Sequence, residues 1–155
     1  APTSPRCPEC PVAKQCGALA EGLERELPQR AKRKAPTEVR TAAAYVRRGD
    51  RVLLQQLPAD APRWAGLWVI PFTELTAKET PALGAARALY QMGLKASAGA
   101  PVPDARHTIT RFRIALSVVE CTLAPKARGG SFFAKSEVAG LALPSIHSKL
   151  VAALW

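Results

Sequence analysis

TAAAYVRRGDRVLLQQL, residues 41–57, decides the fold. Two β-prone apolar runs flank Gly49-Asp50, a pair suited to the tight turn of a β-hairpin. LWVIPF (67–72) reads as a third apolar strand. Helical spacing then runs from Pro81 to Met92, with Leu83, Ala86, Leu89 and Tyr90 on one face. Thr80 is placed to cap that helix, and Gly93 to stop it. ARHTITRFRIALSVVECTL (105–123) alternates apolar and polar residues before a continuous apolar run, and FFA (132–134) adds a short strand. Pro144 and Ser145 open a last helix with Ile146, Leu150, Val151 and Leu154 on its buried side. Strands mixed with a few helices predict an α+β or α/β layered domain. No internal repeat is visible.

The chain has 155 residues, of which 48% are hydrophobic, enough for one well-buried domain with additional segments at its ends. A wholly disordered chain is excluded by that apolar content. No apolar run reaches the length needed to cross a bilayer, and no signal peptide is visible. Twenty-two Lys and Arg stand against 12 Asp and Glu, a formal charge of +10. Such a balance favours a polyanionic partner, and simple solubility is the plainer alternative.

The basic residues are unevenly placed. PQRAKRKAPTEVR (28–40) carries two prolines and a run of Lys and Arg with one Glu. It reads as a connector, either a solvated linker or a basic strap along phosphates, and the two readings are compatible. Residues 1–27 precede it and residues 41–155 form the folded domain.

Three of the four cysteines crowd the first sixteen residues: Cys7, Cys10 and Cys16, spaced C-x2-C-x5-C. A disulfide framework spreads its cysteines, so this cluster suggests metal ligation in a reducing compartment, with cytosol expected. Thiolates suit zinc or an iron–sulfur cluster, and spacing alone favours zinc. Cys121, inside an apolar strand, reads as a buried core thiol.

With the helical pattern that follows it (Ala18 to Leu27), CPECPVAKQC resembles the end of the C-x6-C-x2-C-x5-C loop of the endonuclease III and MutY glycosylases. That resemblance implies three ligands of a 4Fe–4S cluster in Cys7, Cys10 and Cys16, with the fourth expected before Ala1. The domain beyond it resembles the Nudix fold through its hairpin, its RWAGLWVIPF stretch (63–72, like the GLWEFPG segment of the MutY family) and the helix after ETP. The implied fold is a Nudix-like mixed β-sheet packed by helices, α+β, behind a Cys-rich loop and helix segment. A Nudix hydrolase holds divalent metal with a run of glutamates, in a pattern like RExxEExG. RALYQMG (87–93) keeps Arg87 and Gly93, but Ala88, Tyr90, Gln91 and Met92 offer no carboxylate, and Glu79 alone does not replace the set.

His107-Thr108-Ile109-Thr110-Arg111-Phe112 resembles the HTFSHF segment of MutY enzymes, whose Phe-Ser-His loop meets 8-oxoguanine. The resemblance places Ile109 as an apolar wedge beside the lesion base, Thr110 as a hydroxyl to the altered N7/O8 edge and Arg111 as a charged contact. Taken without it, Ile109 and Phe112 are alternating strand residues, with Thr110 and Arg111 facing solvent. Arg106, Arg111 and Arg113 are expected on one face between them, as a ridge along a phosphate backbone. His107 reads as a structural histidine that orients the loop. Trp64 and Trp68 flank Gly66 and are expected at the core edge, whereas His147 and Lys149 are expected on the surface.

The function so implied is lesion recognition within an adenine DNA glycosylase that removes adenine mispaired with 8-oxoguanine, with no catalytic residue in this chain. The expected partner is double-stranded DNA carrying 8-oxoguanine opposite adenine; no membrane association is expected, and a monomer is. A Nudix pyrophosphohydrolase and a protein-interaction module stand as alternatives.

Overall fold

The structure, a computed structural model, describes residues 4–27, 35–109 and 112–155, without the side chains of residues 103, 107 and 109. By its internal contacts the chain divides into two units, Ala1–Ala35 and Pro36–Trp155. Among the described residues no helix is long and apolar enough to cross a membrane.

The first unit is a succession of single turns. Two 3-10 turns, Cys7–Glu9 and Ala13–Gln15, lead into the short helix α1 (Gly17–Ala20). Most of the basic connector, residues 28–34, lies outside the described residues.

Among the described residues the second unit holds eight strands. β1 (Thr37–Tyr45), β5 (Phe72–Glu74), β6 (Ala96–Ile109) and β7 (Phe112–Leu123) form one sheet in the order β5-β1-β7-β6. β1 and β7 are parallel, and the other pairings are antiparallel. β2 (Arg47–Arg48), β3 (Arg51–Gln56) and β4 (Trp68–Val69) form the second, with β8 (Ser131–Ala134) also paired to β3. Of the expected hairpin only the end next to the turn is present: β2 and β3 meet across Gly49-Asp50, where Gly49 takes φ +63°, while residues 41–45 belong to β1 and pair in the other sheet. The remaining helices are α2 (Pro81–Gln91), α3 (Lys135–Val138) and α4 (Ser145–Leu154).

β1 shows how the layers assemble. Its residues alternate between two cores, as a period of two demands. Ala43 and Tyr45 join Leu116, Val118, Ile146 and Leu150 on the α4 side. Ala42 and Ala44 join Ala85, Leu89 and Val119 on the α2 side. The sheet is thus covered on both faces, which is why TAAAYV reads as a continuous apolar run. Small residues set the helix–sheet distance. A Cβ added at Gly84 of α2 would come within 3.0 Å of the Ala42 Cβ.

Helix α2 begins and ends where expected. The Thr80 hydroxyl accepts from the Leu83 N–H at 3.3 Å. Gly93 adopts φ +75° as the chain leaves, and the Leu94 N–H returns to the Leu89 carbonyl.

Four expectations need correction. The connector ends early, because Thr37–Arg40 already pair with Phe112–Ala115 of β7. Strand pairing satisfies that backbone without burying the side chains, so charged residues are tolerated there. LWVIPF is not one strand: it breaks at Ile70-Pro71, with β4 on β3 and β5 on β1. Proline lacks the N–H a continuous ladder needs. The α2 face of Leu83, Ala86, Leu89 and Tyr90 is not the buried one, since Leu83 is 61% and Tyr90 71% exposed. The sheet contacts Gly84, Ala85, Ala88 and Leu89 instead. Finally, His147 is wholly buried (0% exposed), its Nδ1 accepting from the Ile70 N–H at 3.3 Å. The strand break at Ile70-Pro71 takes that amide out of the sheet ladder, and the imidazole supplies the acceptor.

Candidate nucleic-acid interface

Helix α2 covers only half of its face of the sheet. Beyond it, the register carries a row Glu38–Arg113–Thr108 and a row Arg40–Ala115–Arg106 across β1, β7 and β6. Paired residues share a face, so Arg40 and Arg106, two strands apart, are separated by about 10 Å across the small Ala115. All but Ala115 are exposed. Glu38, Arg106, Thr108, Arg113 and Ala115 line one open cavity of about 480 Å³. Arg113 Nη1 reaches Glu38 Oε1 at 3.5 Å, an exposed pair of little energetic weight that leaves the two rows with an excess of positive charge. Arg40 Nη1 donates to the Ala77 carbonyl at 3.3 Å, tying the charge to the segment before α2.

This face leads to the tip of the β6–β7 hairpin. Ile109 pairs with Phe112 and His107 with Ile114, so the expected loop falls where β6 and β7 meet. Thr110 and Arg111 lie outside the described residues, as do the side chains of His107 and Ile109. Of the expected ridge, Arg106 and Arg113 are brought to one face. Edge strand β6 reaches the tip through two irregularities, between Ala98 and Pro101 and between Val102 and Ala105, where its prolines interrupt the ladder.

The opposite face near the tip holds residues that local patterning missed. The Arg63 guanidinium lies 5.5 Å from the centre of the Phe112 ring and pairs with Glu74. Its neighbour Trp64 adopts φ +56°, the one non-glycine residue with a positive φ among those described. Its indole packs edge-on to Phe72 at 5.5 Å and to His147 at 4.9 Å. Such backbone strain persists where surrounding packing over-determines it. The Arg63-Trp64 pair in RWAGLW was the available signal, but the partners are far away in sequence.

Segment 87–93 occupies the end of α2 with the wrong chemistry for a divalent cation. Ala88 and Leu89 are buried in the sheet contact. The nearby carboxylate, Glu79, is already committed: Arg87 donates to both its oxygens, at 2.8 and 2.7 Å, and to the Glu74 carbonyl at 2.8 Å. The Arg87 hydrogen bonds hold the Glu79 carboxyl below the usual range, and the same pair raises Arg87. Hard metals need several free oxygen ligands, so these residues do not fit the Nudix metal set.

The three cysteines of the first unit sit on successive turns, with the Cys10 N–H bonded to the Cys7 carbonyl at 3.1 Å. Their chemistry suits a soft metal, but they are not gathered: among the described residues no three His, Cys, Asp or Glu side chains could hold a metal ion together. Cys121 is the buried core thiol expected, and burial pushes it up to about 11, keeping it neutral.

A family model described as NUDIX domain matches residues 41–153. No curated protein matches the chain. Among solved structures it is similar to the E. coli ORF135 protein, at 22% identity over 77% of this chain and 89% of that one, with a TM-score of 0.61. It is similar to a MutT protein from Methanosarcina mazei Go1, at 17% identity over 79% and 95%, with a TM-score of 0.65. The C-terminal domain of mouse MUTYH, solved in complex with human PCNA, is also similar, at 18% identity over 75% and 86%, with a TM-score of 0.54. At such identities the likeness speaks for the fold.

Proposed function

The chain belongs to the NUDIX domain family, and from that premise we propose that it recognises oxidised guanine in duplex DNA, as part of an adenine DNA glycosylase of the MutY kind, and does not hydrolyse nucleotides. The observation that carries the reading is a pairing of loss and gain. The helix that would hold metal has no free carboxylate, while the open half of the sheet presents Arg40, Arg106 and Arg113 beside the hairpin tip.

In this reading the three arginines hold phosphates and set the register, and the tip reads the base. Thr110 offers a hydroxyl that both donates and accepts, which suits an edge where oxidation converts N7 from acceptor to donor. Ile109 wedges beside the base without the stacking an aromatic ring would add. Adenine excision, with flipping of the adenine, belongs to a catalytic domain elsewhere in the parent protein. Within that protein Cys7, Cys10 and Cys16, not gathered in this structure, would have to be drawn together to serve as three of the four ligands of a 4Fe–4S cluster.

The test is equilibrium binding to matched duplexes with 8-oxoguanine or guanine opposite adenine. Tighter binding of the oxidised duplex is expected, with the preference reduced in Thr110→Ala while general duplex binding changes little. Equal binding by the wild type removes the lesion-reading assignment. Hydrolysis of oxidised dGTP at ordinary enzyme rates with Mg²⁺ would establish the nucleotide hydrolase instead.

A further inference from the structure

The opposite end of the same sheet carries a second basic site that the hairpin reading does not use. β7 runs from Phe112 at the hairpin tip to Leu123, so Glu120–Leu123 lie roughly 23–33 Å from Arg113, at about 3.3 Å per residue. There an open cavity of about 420 Å³ is lined by Arg47, Arg48, Glu120, Thr122 and Arg128 with neighbouring backbone. We propose that this cavity is a binding site for a phosphate-bearing anion, held by Arg47, Arg48 and Arg128.

Three arginines line it with one carboxylate, Arg47 also touching the Tyr45 hydroxyl, and none of the three forms an ion pair among the described residues. Gathering like charges costs free energy that a bound anion offsets. The groups are also positioned. Arg48 lies over the Phe132 ring at 4.5 Å, a stack that uses the guanidinium face and leaves its N–H edge for an oxygen fork. Arg47 gives one N–H to the Gly49 carbonyl at 3.3 Å, within the turn that ends β2.

Arg128 follows a fastened turn: the Ala127 N–H bonds the Ala124 carbonyl at 2.8 Å, and the Ala124 N–H bonds Lys95 at 2.9 Å. The next two residues, Gly129 and Gly130, take φ +106° and +80°. A Cβ on Gly130 would meet the Leu53 Cδ1 at 2.6 Å, so only glycine lets this loop lie against the core with Arg128 facing the cavity rim. The path of the PKARGG segment is thus set by packing beneath it.

A phosphate can come from a free phosphorylated molecule or from a nucleic-acid backbone, and two titrations distinguish them. Backbone amide NMR shifts of the whole chain are followed with inorganic pyrophosphate and, separately, with a short undamaged duplex, at constant ionic strength. Saturable shifts at residues 47–48 and 120–128 support the site. Pyrophosphate acting alone names a small-molecule source, and the duplex acting without pyrophosphate names the nucleic-acid backbone. Arg128→Ala should weaken that response roughly tenfold, as expected for losing a charge-assisted contact. Arg48→Lys, which keeps the charge but loses the stacked fork, should weaken it too, so that a folding defect in one variant does not decide the matter. No shift at these residues with either ligand, or equal titrations in wild type and both variants, overturns the proposal. Neither result bears on Thr110 and the lesion preference, which are read at the other end of the sheet.

Discussion

The α2 face of the β1–β7 sheet has two halves of one pattern and two fates. Ala42 and Ala44 lie under α2 in a closed core, while Glu38 and Arg40, four and two residues earlier than Ala42 on the same face, stand open to solvent. Strand geometry is shared, and the period of two is unbroken. What differs is the reach of an eleven-residue helix, which stops short of the sheet's end. Where the helix lies, only small apolar residues fit; where it ends, the same face can carry guanidinium groups. Site and core are neighbours on one strand because a cover ends between them.

The largest expected effect breaks the covered half. Leu89→Ala removes a fully buried side chain facing Ala42 and Ala44, and should cost about 2–5 kcal/mol in denaturant unfolding. Arg40→Ala in the open half should shift stability by no more than about 0.5 kcal/mol. If the two substitutions cost alike, the open half is part of the core and the comparison collapses.

A second expectation sharpens the open half. Arg106→Ala and Arg113→Ala should each weaken duplex binding with and without the lesion. Each should also flatten the dependence of log affinity on log salt by about 0.9, one phosphate contact apiece. Unchanged salt slopes in both variants would take the arginines off the DNA.

The smallest effect lies at the boundary, where Glu79 and Arg87 tie the segment before α2 to its second turn. Because the folded Glu79 carboxyl sits below its ordinary value of 4.5, its contribution is present above that pH and fades as pH falls through the lowered value. Arg87→Met should therefore narrow its stability gap from wild type in acid, measured as unfolding midpoints across that range. A gap independent of pH would mean that Arg87 acts through packing and its bond to the Glu74 carbonyl alone.

The site was legible in part, and the reasons are local. Arg106 and Arg113 could be placed on one face because a hairpin pairs residues close in sequence. Arg40 could not, since its place beside Ala115 depends on the parallel register of β1 and β7, strands joined through most of the domain. Taken as part of a connector, it was indistinguishable from other solvated charge. His147 failed for a related reason. A polar residue on a terminal helix reads as exposed, and only the broken strand at Pro71 creates the buried N–H it serves. Of the apolar stripe of α2 only Leu89 is buried, because Leu83 and Tyr90 project away from the sheet. Close approach over Ala42 selected Gly84, Ala85 and Ala88 instead.

By itself the sequence determined what depends on neighbours along the chain. Those features are the β2–β3 turn at Gly49-Asp50, the Thr80 cap, the Gly93 stop, the alternation of β7 and a helix with no carboxylates for metal. Turn chemistry, capping and side-chain type act within a few residues, so they survive without the fold. Tertiary structure alone decided which helix face met the sheet, where that helix ceased to cover it, and which distant arginines shared a row. Those outcomes follow from packing volume and strand register, which couple residues that the chain itself keeps far apart.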